Sequence, residues 1–243
     1  MKSSTFTSIL VIMIPVFTVL FYAIPVSYEL DRIYLTTVTF LFSIFTGFFI
    51  TQQGKRFHSI REAVTSFDGK VSNIYRTSKH IDDGLQAHVG EILTRHYTDI
   101  LQSKQWDHYY TQRSTTLQEL HDALDEHIKE EAVNKVANQS LGSIIKGLDA
   151  CQQVRKRVLA LREEVIPKEQ WLLISFFALI LLASVSILPS HGELLPSLIK
   201  ASYIASISAV LFILYRLNSL NFSESLMGEH SANDVLRIIR NEV

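Results

Sequence analysis

The sequence has a single cysteine, Cys151, so no intrachain disulfide can form and no cysteine cluster can hold a metal. Cys151 falls in a segment of helical pattern, where it reads as a small buried hydrophobe. Five prolines and nine glycines among 243 residues leave long stretches free of helix breakers. No segment carries a convincing alternating strand pattern. Neither sign of charge dominates: Lys and Arg number 23, Asp and Glu 24, and the net charge is −1. That balance excludes the basic excess of a nucleic-acid binder and leaves no acidic tail. The chain also lacks a His-Glu-x-x-His zinc motif, a glycine-rich phosphate loop and a serine elbow. His121 and Asp125 have the helical spacing of a ligand pair, but a lone pair of this kind reads as a solvated helix face. We expect no enzyme, no catalytic residue, no metal and no cofactor.

What the chain has in quantity is apolar length. Hydrophobic residues make up 47% of it. Four runs, Ser8–Val26, Ile33–Thr51, Trp171–Leu188 and Leu195–Leu217, have the ~20 residues that crossing roughly 30 Å of hydrocarbon requires. None has an acid in its apolar body, and Lys200 lies near enough to one end to snorkel. The first run is long, lacks a small-x-small cleavage site and is followed almost at once by a second, which argues against a signal peptide. The expected organisation is all-α: a first transmembrane hairpin over 1–52, a helical domain over 53–168, a second hairpin over 169–217 and a tail over 218–243.

Orientation follows from basic residues beside the runs. Lys55, Arg56 and Arg61 follow the second run; Arg155, Lys156, Arg157, Arg162 and Lys168 precede the third. The turns hold only Glu29, Asp31 and Arg32, and His191 and Glu193. The expectation is a multi-pass inner (plasma) membrane protein with the central domain and both termini cytoplasmic. Pro15 and Pro25 should bend or end the first span, and Tyr22, Tyr28 and Tyr34 suit the outer interface.

The central region reads as helix. Phe57, Ile60, Val64, Phe67, Val71, Ile74, Ser78, Ile81 and Leu85 are spaced by threes and fours, a heptad seam of the kind that joins helices. The same spacing carried backwards meets Gln53, Ile50, Thr46, Ser43, Thr39 and Thr36 in the second run. Asp82, Asp83 and Gly84 should interrupt the helix, with another from about Leu85 through Tyr97 to Leu101. Thr116-Leu117-Gln118-Glu119 has the form of a capping box, backed by Leu117, Leu120, Leu124 and Ile128. A last helix carrying Ile144, Ile145, Leu148, Cys151, Val158 and Val165 should end at Pro167, with Trp171 at a membrane entry.

The order of runs, with Tyr75-Arg76, His96-Tyr97, Trp106, Arg155-Lys156-Arg157-Val158-Leu159, Ile166-Pro167 and Trp171, resembles the bestrophin-like family of bacterial and plant membrane proteins, itself distantly similar to bestrophin ion channels. The resemblance covers nearly all of the chain after the first run. Members often leave the last span through a Leu-Asp-x-Pro-Phe segment; here Leu217-Asn218-Ser219-Leu220-Asn221-Phe222 keeps the phenylalanine but neither the aspartate nor the proline. The resemblance implies a homo-oligomer, a pentamer, that conducts inorganic ions within membrane lipid.

Thr36, Thr39, Ser43, Thr46, Ile50 and Gln53 are the candidate pore lining, since hydroxyls replace part of an ion's hydration. Ordinary packing competes, because the same side chains bond within and between helices. Phe42, Phe45 and Phe49 are the candidate gate, against lipid or helix contact. Phe57, Ile60, Val64, Phe67, Val71 and Ile74 form the candidate oligomer seam. Ser202, Ala205, Ser206 and Ala209 make a small-residue face for close packing. Arg155, Lys156 and Arg157 fit anionic headgroups, a vestibule or simple orientation. Charge leaves selectivity open, with Glu29 and Asp31 at one end and Lys55, Arg56 and Arg61 at the other. The alternative function is a non-conducting scaffold or sensor that oligomerises through the seam.

Overall fold

The computed structural model describes residues 15–16, 18–19, 22, 32–103, 107, 110, 115–130, 135–187, 194–220, 229–240 and 242. The first apolar run lies mostly outside this set, as do both expected turns, Trp106 and Phe222. Seven helices are described: α1 (Arg32–Ser78), α2 (Asp83–Ser103), α3 (Thr116–Glu130), α4 (Lys135–Glu163), α5 (Lys168–Ile187), α6 (Leu194–Asn218) and α7 (Glu229–Ile239). No strand occurs among the described residues. Three of the helices, α1, α5 and α6, are long and apolar enough to cross a membrane.

The chain divides into two compact units, Met1–Lys55 with Val165–Leu220, and Arg56–Glu164 with Asn221–Val243. In the first, Ile174, Leu181 and Leu214 are fully buried among Val38, Phe42 and Phe49 of α1. Phe45 stacks on Phe177 with ring centroids 5.7 Å apart. The amide of Ile166 donates to Asn218 Oδ1 at 2.7 Å, tying the entry of α5 to the end of α6. α5 starts where the Pro167 carbonyl accepts from the amides of Gln170 and Trp171, both at 3.1 Å.

In the second unit, Ile60, Phe67, Val71 and Ile74 of α1 pack into a core with Leu93, Tyr97, Leu148, Cys151 and Val158. α1 ends at Ser78, and Asp82 then caps α2 by accepting the Leu85 amide at 3.0 Å. A Cβ on Gly84 would stand 2.6 Å from the capping Asp82 Oδ2, so a larger residue there would have to push the cap aside. At α3 the cap falls one residue before the expected box. Thr115 accepts the Glu119 amide through its carbonyl at 2.8 Å and its hydroxyl bonds the Glu119 carboxylate. The Thr116 hydroxyl meets His96 Nδ1 at 3.2 Å. α4 ends at Glu163 rather than running to Pro167, because Arg56 binds its last carbonyls. Its Nε donates to Leu161 O at 2.6 Å and its Nη2 to Arg162 O at 2.5 Å, a cation on orphan acceptors at a helix C-terminus.

The structure revises the seam. Ile60, Val64, Phe67, Val71 and Ile74 are each 5% exposed or less within a single chain, and Phe57 is half-buried. Their period is satisfied by the chain's own helices, so the seam is intrachain core, and these side chains are already covered without a second copy.

Candidate functional site

α1 is one unbroken helix from Arg32 to Ser78, and a single buried stripe follows it. In the first unit the stripe comprises Phe42, Thr46, Phe49 and Gln53, and in the second Arg56, Ile60, Phe67, Val71, Ile74 and Ser78. The opposite side of its apolar half is uncovered. Thr36, Phe40, Ser43, Gly47 and Thr51, spaced by threes and fours, are all exposed, and a Cβ added at Gly47 would meet nothing within 4 Å.

The candidate pore lining therefore divides. Thr36 and Ser43 are exposed, Thr39 and Ile50 half-buried, and Thr46 and Gln53 buried at 4% and 2% exposure. The reason is helical period. A row alternating by three and four has two columns, and at ~100° per residue the column Thr39, Thr46 and Gln53 stands ~60–100° around the helix from Thr36. That column borders the face covered by the neighbouring helices, while Thr36 and Ser43 stay on the uncovered one. The candidate gate is covered as well: Phe42 and Phe49 are 6% and 4% exposed, packed with α5 and α6 residues.

Five hydroxyls of this segment serve their own helix. Thr37, Thr39, Ser43, Thr46 and Thr51 donate to the carbonyl four residues earlier at 2.6–2.8 Å. Their protons are used, so each presents oxygen lone pairs to whatever lies beside it. Thr39 Oγ1 also lies 3.0 Å from Tyr203 Oη on α6. With the threonine proton on Leu35 O, the tyrosine is the donor of that bond.

Beside this pair is a cavity of about 530 Å³, mostly apolar, between α1, α5 and α6. Leu35, Phe40, Val185 and Ile199 form its hydrophobic wall, and Lys200 also lines it. Lys200 is 5% exposed and its Nζ donates to the Ser186 carbonyl at 3.3 Å, a favourable place for a cation at the end of α5. The small-residue face of α6 splits as α1 does, with Ala205 buried, Ala209 half-buried, and Ser202 and Ser206 exposed.

The second unit contains a polar cluster that joins residues far apart in sequence. Asp68 Oδ1 accepts from Tyr97 Oη at 2.7 Å, and Oδ2 accepts from Ser231 Oγ of α7. Asp68 is 7% exposed, and burial raises its pKa from the usual carboxylate range to about 6. Burial also pushes the Tyr97 hydroxyl well up, the Cys151 thiol up to about 12 and the His96 imidazole down to about 3. Tyr75 Oη donates to the Ile239 carbonyl at 3.2 Å, a second tie to α7. Among the basic residues before α5, Lys156 and Arg157 are exposed, Arg155 is half-buried, and Arg162 pairs with Asp107 at 2.9 Å. His121 is half-buried and Asp125 exposed, and no described group of His, Cys, Asp or Glu could hold a metal ion.

The sequence profile of the Bestrophin-like domain matches residues 6–221. The chain belongs to the bestrophin-like family. No curated protein matches it. Among solved structures it is similar to one titled "Crystal structure of a membrane protein L259A", with a TM-score of 0.62 and 12% identity over 96% of this chain and 95% of that one. At that identity the likeness shows a shared fold. That solved protein is titled a membrane protein, and this bestrophin-like chain has three helices long and apolar enough to cross a membrane.

Proposed function

We propose that this bestrophin-like protein is a homo-oligomeric ion channel of the inner (plasma) membrane, in which the uncovered face of α1 from each subunit surrounds a central path. The observation that carries the reading is the uncovered row Thr36, Phe40, Ser43, Gly47 and Thr51, where hydroxyl oxygens and a glycine interrupt an otherwise apolar helix. Family membership adds weight, and a pentamer is what the resemblance to bestrophins implies. The row replaces the buried Thr46 and Gln53 in the lining and takes in Gly47 and Thr51. The basic residues after the second span and before the third put the second unit and both termini in the cytoplasm. No catalytic step, metal or cofactor is assigned; inorganic ions and lipid are the partners.

A non-conducting scaffold is the second reading. It draws support from the hydroxyl protons of Thr37, Ser43 and Thr51, all satisfied within their own helix and so comfortable against lipid. Flux measurements separate the two. Purified protein in liposomes is tested for chloride, sodium and potassium flux, with Ser43→Leu as the variant. One bulky group per subunit is repeated by symmetry around the path, so flux should fall at least tenfold with oligomer size unchanged. Absence of wild-type flux across voltages and pH values would favour the scaffold, and unchanged flux in the variant would remove Ser43 from the lining.

A further inference from the structure

α7 is a short helix seated on the second unit by one mixed face. Its 11 residues, Glu229–Ile239, are fewer than the ~12–15 that an isolated helix needs in water, so it depends on what it packs against. Ala232, Val235 and Leu236 are buried, while His230, Asn233, Asp234, Arg237 and Arg240 stay exposed, and the helix lies on α2. Near its end the Ile239 carbonyl accepts from the Tyr75 hydroxyl, and a Cβ on Gly90 would stand 3.6 Å from Ile239 Cγ2. Near its start Ser231 sits on a carboxyl: it bonds Asp68 Oδ2, while Tyr97 of α2 holds Oδ1. One serine hydroxyl stands where several waters would solvate that oxygen were the carboxylate charged and open. The seat of α7 therefore fits a neutral Asp68 better than an ionised one.

We propose that α7 is a proton-controlled latch, seated on α1 and α2 while Asp68 is neutral and lifting when Asp68 ionises, so that water reaches the carboxylate. Burial outweighs both hydrogen bonds and raises the seated carboxyl from 3.8 to about 6. Seated α7 thus binds a proton that lifted α7 gives up. Docking is tightest below about pH 4, weakens as pH rises and levels off above about pH 6, a swing of up to roughly a hundredfold. The other groups around Asp68 do not carry the effect. Tyr97 and the Cys151 thiol of α4 are pushed up by burial and stay neutral, and Tyr110 and Lys70 act on them through charge alone. His96, its ring 4.9 Å from that of Tyr97, is held at about 3 and bonds Thr116 of α3, so it is neutral while α2 and α3 stay together. On α7 itself His230 pairs with Asp234 at 3.1 Å on the exposed side. The latch lies within the second unit and stands whether or not the protein conducts.

Hydrogen exchange tests the latch on the full-length protein in detergent, with amide rates over Glu229–Ile239 corrected for the intrinsic effect of pH on exchange. Exchange in α7 should rise at least tenfold between about pH 4 and about pH 6.5 and then level off, while α4 stays protected. Asp68→Asn should hold α7 at its slow rate up to about pH 8. His230→Gln, which removes the exposed histidine of α7, should keep the wild-type rise. A pH-independent α7, a rise that survives in Asp68→Asn or disappears in His230→Gln, or α4 exchanging in step with α7 would each overturn the proposal. Should Asp68→Asn fail to fold, the wild-type profile and His230→Gln decide the matter.

Discussion

Replacing Asp68 by asparagine should stabilise the second unit at neutral pH while keeping its geometry. The Asp68 carboxyl is 7% exposed and takes hydrogen bonds from Tyr97 and Ser231, which hold its charged form only in part. Burial wins, and its folded pKa is about 6 against an ordinary 3.8. The folded state therefore binds more protons than the unfolded state between those values. Stability contributed by neutral Asp68 is complete below about pH 4 and is lost as pH rises to about 6, a fall of roughly 3 kcal/mol. Tyr97, well above 10, stays neutral through that window. His96, held at about 3 when folded against an ordinary 6.5, adds stability over the same range as pH rises, so the Asp68 effect is read as the difference between variant and parent at each pH. Lys70 and Cys151 also act on this cluster, and the thiol, at about 12, is neutral there too. An asparagine oxygen accepts the Tyr97 proton and its amide reaches Ser231, so Asp68→Asn should raise stability by about 1–3 kcal/mol at pH 8 and by little at pH 4. Thermal unfolding of detergent-solubilised protein across pH 4–8 measures this, with hydrogen exchange over Glu229–Ile239 reporting whether α7 stays docked. A variant destabilised equally at both pH values would refute the reasoning and make the charge itself a stabilising element.

Cysteines placed near Gln118 and at the C-terminus should resist a membrane-impermeant reagent in intact cells while one near His191 reacts; labelling of the Gln118 site would invert the orientation. Native Cys151 adds no background, being fully buried with its thiol pushed up to about 12. Val64→Asp with Val71→Asp places two unpaired charges in an intrachain core, each costing several kcal/mol, so folded protein should be lost altogether. A folded, monodisperse monomer on size exclusion would restore the seam to the subunit interface. Arg56→Met should cost about 1–3 kcal/mol by leaving the Leu161 and Arg162 carbonyls without their donor, and speed amide exchange in the last turn of α4; unaltered exchange there would show the cap to be dispensable.

Local signals were legible and distant ones were not. Apolar length marked the helices over the second, third and fourth runs, and Asp82 with Gly84 marked the break between α1 and α2, because both depend on neighbouring residues alone. The Thr115 cap was missed by one position, since Thr115 and Thr116 offer the same hydroxyl and only the fold sends one of them to His96. Arg56 looked like one more orienting charge; its role as a helix cap depends on carbonyls 105 and 106 residues away. The Asp68–Tyr97–Ser231 cluster likewise spans separations of 29 and 163 residues, which no spacing rule reaches.

The candidate lining divides for a more instructive reason. A heptad row carried back from the polar half of α1 into its apolar half does not keep one face. Burial in the first unit in fact follows Phe42, Thr46, Phe49 and Gln53, the row that leads into Arg56, Ile60 and Phe67. That places two hydroxyl-bearing or amide residues of the expected lining under the protein and leaves Gly47 and Thr51, which the row skipped, in the open. Residue chemistry could not separate the faces, because threonine serves equally well against a carbonyl of its own helix, an adjacent helix or an ion. What separates them is which neighbours cover each face, and for α1 those are α5 and α6, more than one hundred residues further along the chain. In the channel reading, the face that the chain itself leaves exposed is the one open to an ion, so mutagenesis belongs first at Ser43 and Gly47.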